Sequence, residues 1–119
     1  MDQDGQFIGG AIAPGLAVMT EYLHDKTARL PLVRLRECPR AIGKSTEEAI
    51  LIGAVHGYAA LVRGVLQAMR KELGRPTVPV IATGGCARFV AHRVPEITHL
   101  EPLLTLEGLR RAQIGRAHV

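Results

Sequence analysis

Alternating blocks of apolar and polar positions predict the order strand, helix, strand, long helix, strand, helix, strand, helix. The strands are predicted over residues 6–12, 32–36, 78–82 and 97–100. The helices are predicted over residues 16–28, 46–73 and 86–92, and from Leu106 onward with Thr105 as cap. The strand at 78–82 is a continuous apolar run of the buried type. This alternation is typical of an α/β fold, a mixed sheet with flanking helices.

The long helix over 46–73 has the clearest start and stop signals. Ser45 and Glu48 form a capping box, in which the Ser45 hydroxyl binds the amide of Glu48 and the Glu48 carboxylate reaches back to that of Ser45. A basic last turn, Gly74 and Pro76 mark the other end.

Three glycines, Gly53, Gly57 and Gly64, lie inside this helix, where each costs about 1 kcal/mol relative to alanine. Gly53 and Gly57 share a face with Ala49 and Ala60. The pattern favours tight packing within the fold, and a subunit interface is the alternative.

The first predicted strand carries Gly9 and Gly10 in its middle and ends at a Pro14-Gly15 corner. Glycine inside a strand indicates close approach to the backbone. Asp4-Gly5 predicts a hairpin turn. With so little chain before it, we expect a fragment that begins at the second strand of a hairpin.

Composition fits one globular domain at most, since the chain has 119 residues and is 47% hydrophobic. Aromatic residues make up 3%, so the predicted core is aliphatic. The net charge of +4 is dispersed along the chain, which disfavours nucleic-acid binding and suits phosphorylated small molecules.

Cellular setting is indicated by the cysteines and by the lack of a leader pattern. Cys38 and Cys86 match no zinc or redox spacing, which favours a reduced, cytoplasmic protein. The N-terminus is acidic, unlike a signal peptide. The longest uncharged runs, 5–20 and 49–62, are too short to span a membrane.

Candidate chemistry lies first at Gly84-Gly85, where a strand delivers two glycines to a helix start. Exposed amides there suit a phosphate or a flat nucleoside, and a simple tight turn is the alternative. Gly43-Lys44-Ser45-Thr46 is not a phosphate loop, because its upstream glycine position holds Cys38. The Thr46 hydroxyl can bind a polar ligand beside exposed amides.

Other catalytic groups give weak signals. No pair of carboxylates is gathered in a cleft, and the histidines have no metal-ligand spacing. His56 is expected to be a hydrogen-bonded core histidine. Cys86 is expected to be a small buried thiol rather than a nucleophile.

Five motifs together resemble, in order and spacing, the C-terminal half of a type III pantothenate kinase, over about residues 2–109. They are Gly5-x-Phe7-x-Gly9-Gly10-x-Ile12-x-Pro14-Gly15, Thr27-Ala28-x-Leu30-Pro31, Ile42-Gly43-x-Ser45-Thr46-x-x-Ala49, Ala82-Thr83-Gly84-Gly85 and Leu104-Thr105-Leu106-x-Gly108-Leu109.

The resemblance implies an N-terminally truncated C-terminal domain of an actin-like, ribonuclease H-like ATPase fold. It implies transfer of the ATP γ-phosphate to pantothenate in the first step of coenzyme A biosynthesis, with ATP, Mg²⁺ and a monovalent cation (potassium or ammonium), in a cytoplasmic homodimer. By this resemblance Thr46 binds pantothenate, Gly84 and Gly85 belong to the adenosine motif, and Gly9 and Gly10 line the nucleotide cleft. No catalytic residue and no metal ligand carries over.

The family's Asp-x-Gly-Asn phosphate loop, its Gly-x-Asp-Arg motif with the general base, and its Gly-Thr-Ala-Thr-Thr strand have no counterpart here. We therefore expect residues 1–112 to be an incomplete kinase domain, inactive alone. Residues 113–119 resemble translated sequencing adapter and are expected to be a non-native tail. The alternative function is a non-enzymatic nucleotide- or partner-binding regulatory domain on the same scaffold.

Overall fold

The described chain is mostly helical and contains one short parallel strand pair. The computed structural model describes residues 1, 4–26 and 31–117, and within them it has four helices and one two-stranded sheet. The elements are α1 (Leu16–Lys26), α2 (Thr46–Leu73), β1 (Ile81–Ala82), α3 (Ala87–Ala91), β2 (His99–Leu100) and α4 (Leu104–Ala117). The chain divides into two compact units, Met1–Tyr58 and Ala59–Val119.

The start of α2 is fixed by Ser45, as the sequence predicts. The Ser45 Oγ accepts a hydrogen bond from the amide of Glu48 at 3.1 Å, and the Ser45 carbonyl accepts the first helical bond from Ala49 at 2.9 Å. The reciprocal half of the predicted box is wrong. The Glu48 carboxylate accepts from the amide of Lys44 at 3.1 Å instead, one residue further out, where Arg40 also meets it.

The end of α2 is a Schellman motif, which confirms the predicted stop. Gly74 has a φ of +66°, the left-handed conformation that glycine adopts without strain. Its amide donates to Lys71 O, and the amide of Arg75 donates to Arg70 O, both at 3.2 Å.

The core of the first unit is aliphatic, as the composition predicts. Helix α1 begins at the predicted residue, and its predicted last residues, 27–28, lie outside the described chain. Buried side chains come from α1, from the segment 31–40 and from the first half of α2: Leu16, Thr20, Val33, Cys38, Ile50, Leu51, Ala54 and Val55. Buried Thr20 is satisfied by donating to Ala17 O at 3.0 Å.

Two predicted strands do not form in the described chain. Residues 6–12 are irregular and exposed, with Phe7 at 81% and Ile12 at 103% of their reference exposure. Residues 32–36 are irregular too. A strand needs a neighbour for its backbone groups, and neither segment pairs with another among the described residues. The predicted incoming hairpin strand, residues 2–3, lies outside them.

The strand pair of the second unit is parallel, with Ile81 opposite His99 and Ala82 opposite Leu100. The α/β prediction is thus confirmed in part: the described residues form helices with a small parallel sheet, and no antiparallel pair occurs among them. The ladder is also shorter than predicted, because the Thr98 side chain replaces a main-chain partner and accepts from the amide of Val80 at 2.8 Å. The predicted burial of β1 is wrong as well, since Ile81 is 54% exposed.

Helix α3 packs against both strands and α4 follows them. Among the described side chains of this unit, Ala87 and Val94 are buried. Helix α4 begins before the predicted Thr105 cap, because Leu103 O already accepts the amide of Glu107 at 2.9 Å after the turn at Pro102.

The glycine face of α2 is exposed. Nothing in the described chain lies within 4 Å of a Cβ built on Gly53, Gly57 or Gly64, so the prediction of tight internal packing is wrong there. By length and composition α2 also meets the criteria for a membrane span. Its Arg63 and Arg70, however, bind carboxylate and carbonyl groups of this chain.

Gly43→Ala should destabilise the protein, and Gly53→Ala should stabilise it. A Cβ at Gly43 would lie 2.7 Å from Ala49 N and 2.8 Å from its Cα, which are main-chain atoms that cannot move cheaply, so we expect a loss of about 1–3 kcal/mol. Gly53 faces open space within a helix, so alanine should add up to about 1 kcal/mol. Urea unfolding measures the free energy of unfolding of both variants. Equal changes in the two variants would contradict the tight loop at Gly43.

Candidate functional site

Thr46 is the first residue of α2 and is exposed, beside amides that the helix itself does not satisfy. The loop before it is pressed onto the first turn through Gly43. Arg36 pairs with Glu47 at 3.3 Å and Arg40 with Glu48 at 3.5 Å. The helix start therefore presents a hydroxyl and main-chain amides beside two ion pairs, a setting suited to a polar ligand.

The Gly84-Gly85 turn follows β1 and is exposed. Gly84 has a φ of +103°, a conformation that strains any L side chain, which explains the glycine. Its carbonyl accepts the amide of Ala87 at 3.2 Å. Nothing in the described chain lies within 4 Å of a Cβ built on either glycine. A flat group can therefore approach this backbone closely.

Cys86 follows that turn at the N-cap of α3 and is exposed. The predicted buried thiol at this position is wrong, because the turn over residues 83–86 that precedes α3 lies at the surface. Cys38 is the buried cysteine, and its Sγ donates to Arg40 O at 3.6 Å.

Gly9 and Gly10 lie in the exposed irregular segment of the first unit. Gly9 has a φ of +133°, and the Cβ positions of both glycines face open space within the described chain. The close approach inferred from the sequence is thus not made by any described residue.

His56 is hydrogen-bonded, as predicted, but it is exposed rather than in the core. Its Nε2 lies 3.0 Å from Cys38 O and ties the first unit's loop to α2. No three histidine, cysteine, aspartate or glutamate side chains among the described residues are grouped to hold a metal ion.

A charged network that sequence reasoning missed joins α2 to the segments before both strands. The Arg63 Nε donates to both carboxylate oxygens of Glu96, at 2.8 and 3.0 Å. The Arg70 Nη2 donates to Val78 O at 3.1 Å and to Glu96 O at 3.0 Å. The signal in the sequence is the seven-residue spacing of Arg63 and Arg70, which places both on one face of the helix.

An open groove of about 480 Å³ lies over this network at the end of α2. It is lined by Gln67, Arg70, Lys71, Gly74, Pro76 and Glu96. The sequence-predicted site residues are not among these lining residues.

Hydrogen bonding from Arg63 lowers the pKa of Glu96 below its usual 4.5, and partial burial of the carboxylate opposes this effect. The folded protein thus binds this proton less tightly than the unfolded chain. The stabilisation is complete above the unfolded pKa and is lost as the pH falls through the folded one.

Unfolding free energy should therefore fall more steeply on acidification below pH 4.5 in the wild-type protein than in Glu96→Gln. Glu72→Gln, at an exposed position of α2, is the matched control and should retain the wild-type slope. Parallel slopes for Glu96→Gln and wild type, in urea unfolding at successive pH values, would show that the Arg63 bond contributes nothing.

Comparison with known proteins confirms the family resemblance. The family described as type III pantothenate kinase matches residues 1–68. A type III pantothenate kinase of Methylacidiphilum infernorum is 47% identical over 111 residues, which are 92% of this chain and 41% of that protein. One of Thermomicrobium roseum is 51% identical over 112 residues, covering 94% and 43%, and one of Akkermansia muciniphila is 50% identical over 107 residues, covering 89% and 43%.

The chain spans 41–43% of the length of these three relatives. The matched regions cover 89–94% of this chain, and the family match over residues 1–68 includes the position of Thr46. This chain belongs to the type III pantothenate kinase family.

Proposed function

We propose that this chain is part of an enzyme that transfers the γ-phosphate of ATP to pantothenate, the first step of coenzyme A biosynthesis. The observation that carries the proposal is 51% identity over 112 residues to a relative named for this activity. The two glycine-bearing segments and the start of α2 supply the binding surfaces.

The Gly84-Gly85 turn would receive the adenosine part of ATP. Its left-handed Gly84 and open Cβ positions support this role, because a ring can lie directly on the backbone. By the family resemblance, Gly9 and Gly10 would line the nucleotide cleft of the complete protein. The bound nucleotide, with Mg²⁺, supplies the phosphoryl group.

Thr46 would bind pantothenate through its hydroxyl and the neighbouring amides. The Ser45 cap supports this role, since its bond to the amide of Glu48 fixes the first turn and holds Thr46 in place. Ion pairs with Arg36 and Arg40 fix the side chains of Glu47 and Glu48, the two residues after Thr46.

The proposal includes the actin-like ATPase fold, a cytoplasmic homodimer and a monovalent cation, all from the family resemblance. No metal ligand is assigned among the described residues, which group no three suitable side chains. The exposed apolar segment around Phe7 and Ile12 supports a larger complete protein, because the rest of the chain would cover it.

The 119-residue chain alone should not phosphorylate pantothenate. Phosphoryl transfer depends on a general base and on phosphate-binding groups, and the family motifs that carry them have no counterpart in this sequence. A chimera in which this chain replaces the 112 residues that it matches in the Thermomicrobium roseum relative should do so. A coupled ADP-release assay compares the two. An inactive chimera that still binds ATP would favour the non-enzymatic regulatory domain, and turnover by the chain alone would refute its inactivity.

In the chimera, Thr46→Ala should raise KM for pantothenate about tenfold, the effect of losing one ligand hydrogen bond. KM for ATP should stay unchanged. Thr46→Ser keeps the hydroxyl and is the matched control, with a change within about twofold. Equal KM values for pantothenate in the alanine and serine variants would rule out a binding role for the hydroxyl.

A further inference from the structure

We propose that Arg70 is a positioning residue for the nucleotide, acting through the strand pair that carries the Gly84-Gly85 turn. The inference rests on the proposed function, since it assumes that this turn receives ATP. Arg70, near the end of α2, would thus affect nucleotide affinity without contacting the turn. It binds the segments that precede the two strands.

One nitrogen of Arg70 binds both of the segments that lead into the strands. Its Nη2 carries two N–H groups, and they donate to Val78 O at 3.1 Å and to Glu96 O at 3.0 Å. Val78 lies three residues before β1, and Glu96 lies three residues before β2. Arg70 therefore fixes where both strands begin, relative to the helix.

The opposite end of the strand pair leads directly into the turn. Because β1 and β2 are parallel, both leave at the same end, where the amide of Glu101 donates to Ala82 O at 2.9 Å. Thr83 and then Gly84 follow at once. A displacement at the start of β1 is therefore carried along the strand to Gly84.

The strand pair is too short to hold this position alone. Each strand has two residues, and isolated two-stranded pairs are marginally stable in water. Its further supports are α3, which packs on both strands, and the Thr98–Val80 bonds. The bonds of Arg70 add an attachment to α2 that the strand pair itself does not supply.

The second arginine holds the loop that Arg70 binds. The Arg63 Nε donates a bifurcated hydrogen bond to the Glu96 carboxylate, and the Glu96 side chain is only 10% exposed. Arg70 donates to the main-chain carbonyl of the same residue. The Arg70 Nε is buried and has no partner among the described groups, which is unfavourable for a donor. The two hydrogen bonds of Nη2 offset this unfavourable burial of the Nε.

The test compares three variants in the chimera with the Thermomicrobium roseum relative. Arg70→Met removes both carbonyl bonds and should raise KM for ATP about tenfold, the loss of about 1.4 kcal/mol of binding free energy. KM for pantothenate and kcat should stay within about twofold. A purely structural loss would instead lower apparent kcat, through a smaller active fraction, and leave KM for ATP unchanged. Arg70→Lys keeps a charged donor and should recover part of the affinity.

Lys71→Met is the matched control, since it removes the same charge from the neighbouring exposed position. It should leave KM for ATP unchanged. Equal KM values for ATP in Arg70→Met and Lys71→Met, or a loss confined to kcat, would overturn the proposal.

Hydrogen exchange in the same chimera tests the link without activity. The amides of Ala87 and Glu101, which donate to Gly84 O and Ala82 O, should exchange faster in Arg70→Met than in Lys71→Met, because the turn loses its orientation. Equal exchange overturns the inference even if the wild-type chimera is an active kinase. An inactive wild-type chimera whose turn still responds to Arg70→Met counts against the proposed function and supports the link.

Discussion

The structure depends on satisfying the main-chain groups at the two ends of α2, a 28-residue helix that runs from the first unit into the second. An unpaired amide or carbonyl at a helix end is unfavourable, and both ends of α2 have specific partners. Ser45 closes the first turn, and the left-handed Gly74 closes the last. With its ends defined, the helix brings Thr46 to its start and Arg70 to its final turns.

Each unit uses this helix differently. In the first unit, aliphatic side chains of α2 are buried together with those of α1 and of the 31–40 segment, so burial of apolar area is the main stabilising term. In the second unit, charged groups of α2 hold the segments before the two strands. A long apolar helix thus contributes a core at one end and a polar attachment at the other.

Local chemistry explains what the sequence could predict. The cap at Ser45, the stop at Gly74 and the bounds of α2 depend on residues that are neighbours along the chain, and the structure confirms them. The predicted strands at 6–12 and 32–36 fail because a strand depends on a partner, and none is supplied by the described residues. Helix α4 starts before Thr105 because the turn at Pro102 already provides the first acceptor.

The candidate site also combines residues with a local sequence signal and residues without one. Thr46 and Gly84-Gly85 stand out as single short motifs, whereas the bonds of Arg70 join residues 26 positions apart and have no local signature. The most direct test is a crystal structure of the complete chimeric enzyme with a non-hydrolysable ATP analogue. The account predicts the adenosine moiety in van der Waals contact with the backbone of Gly84 and Gly85. A nucleotide bound elsewhere, with this turn still exposed, would contradict it.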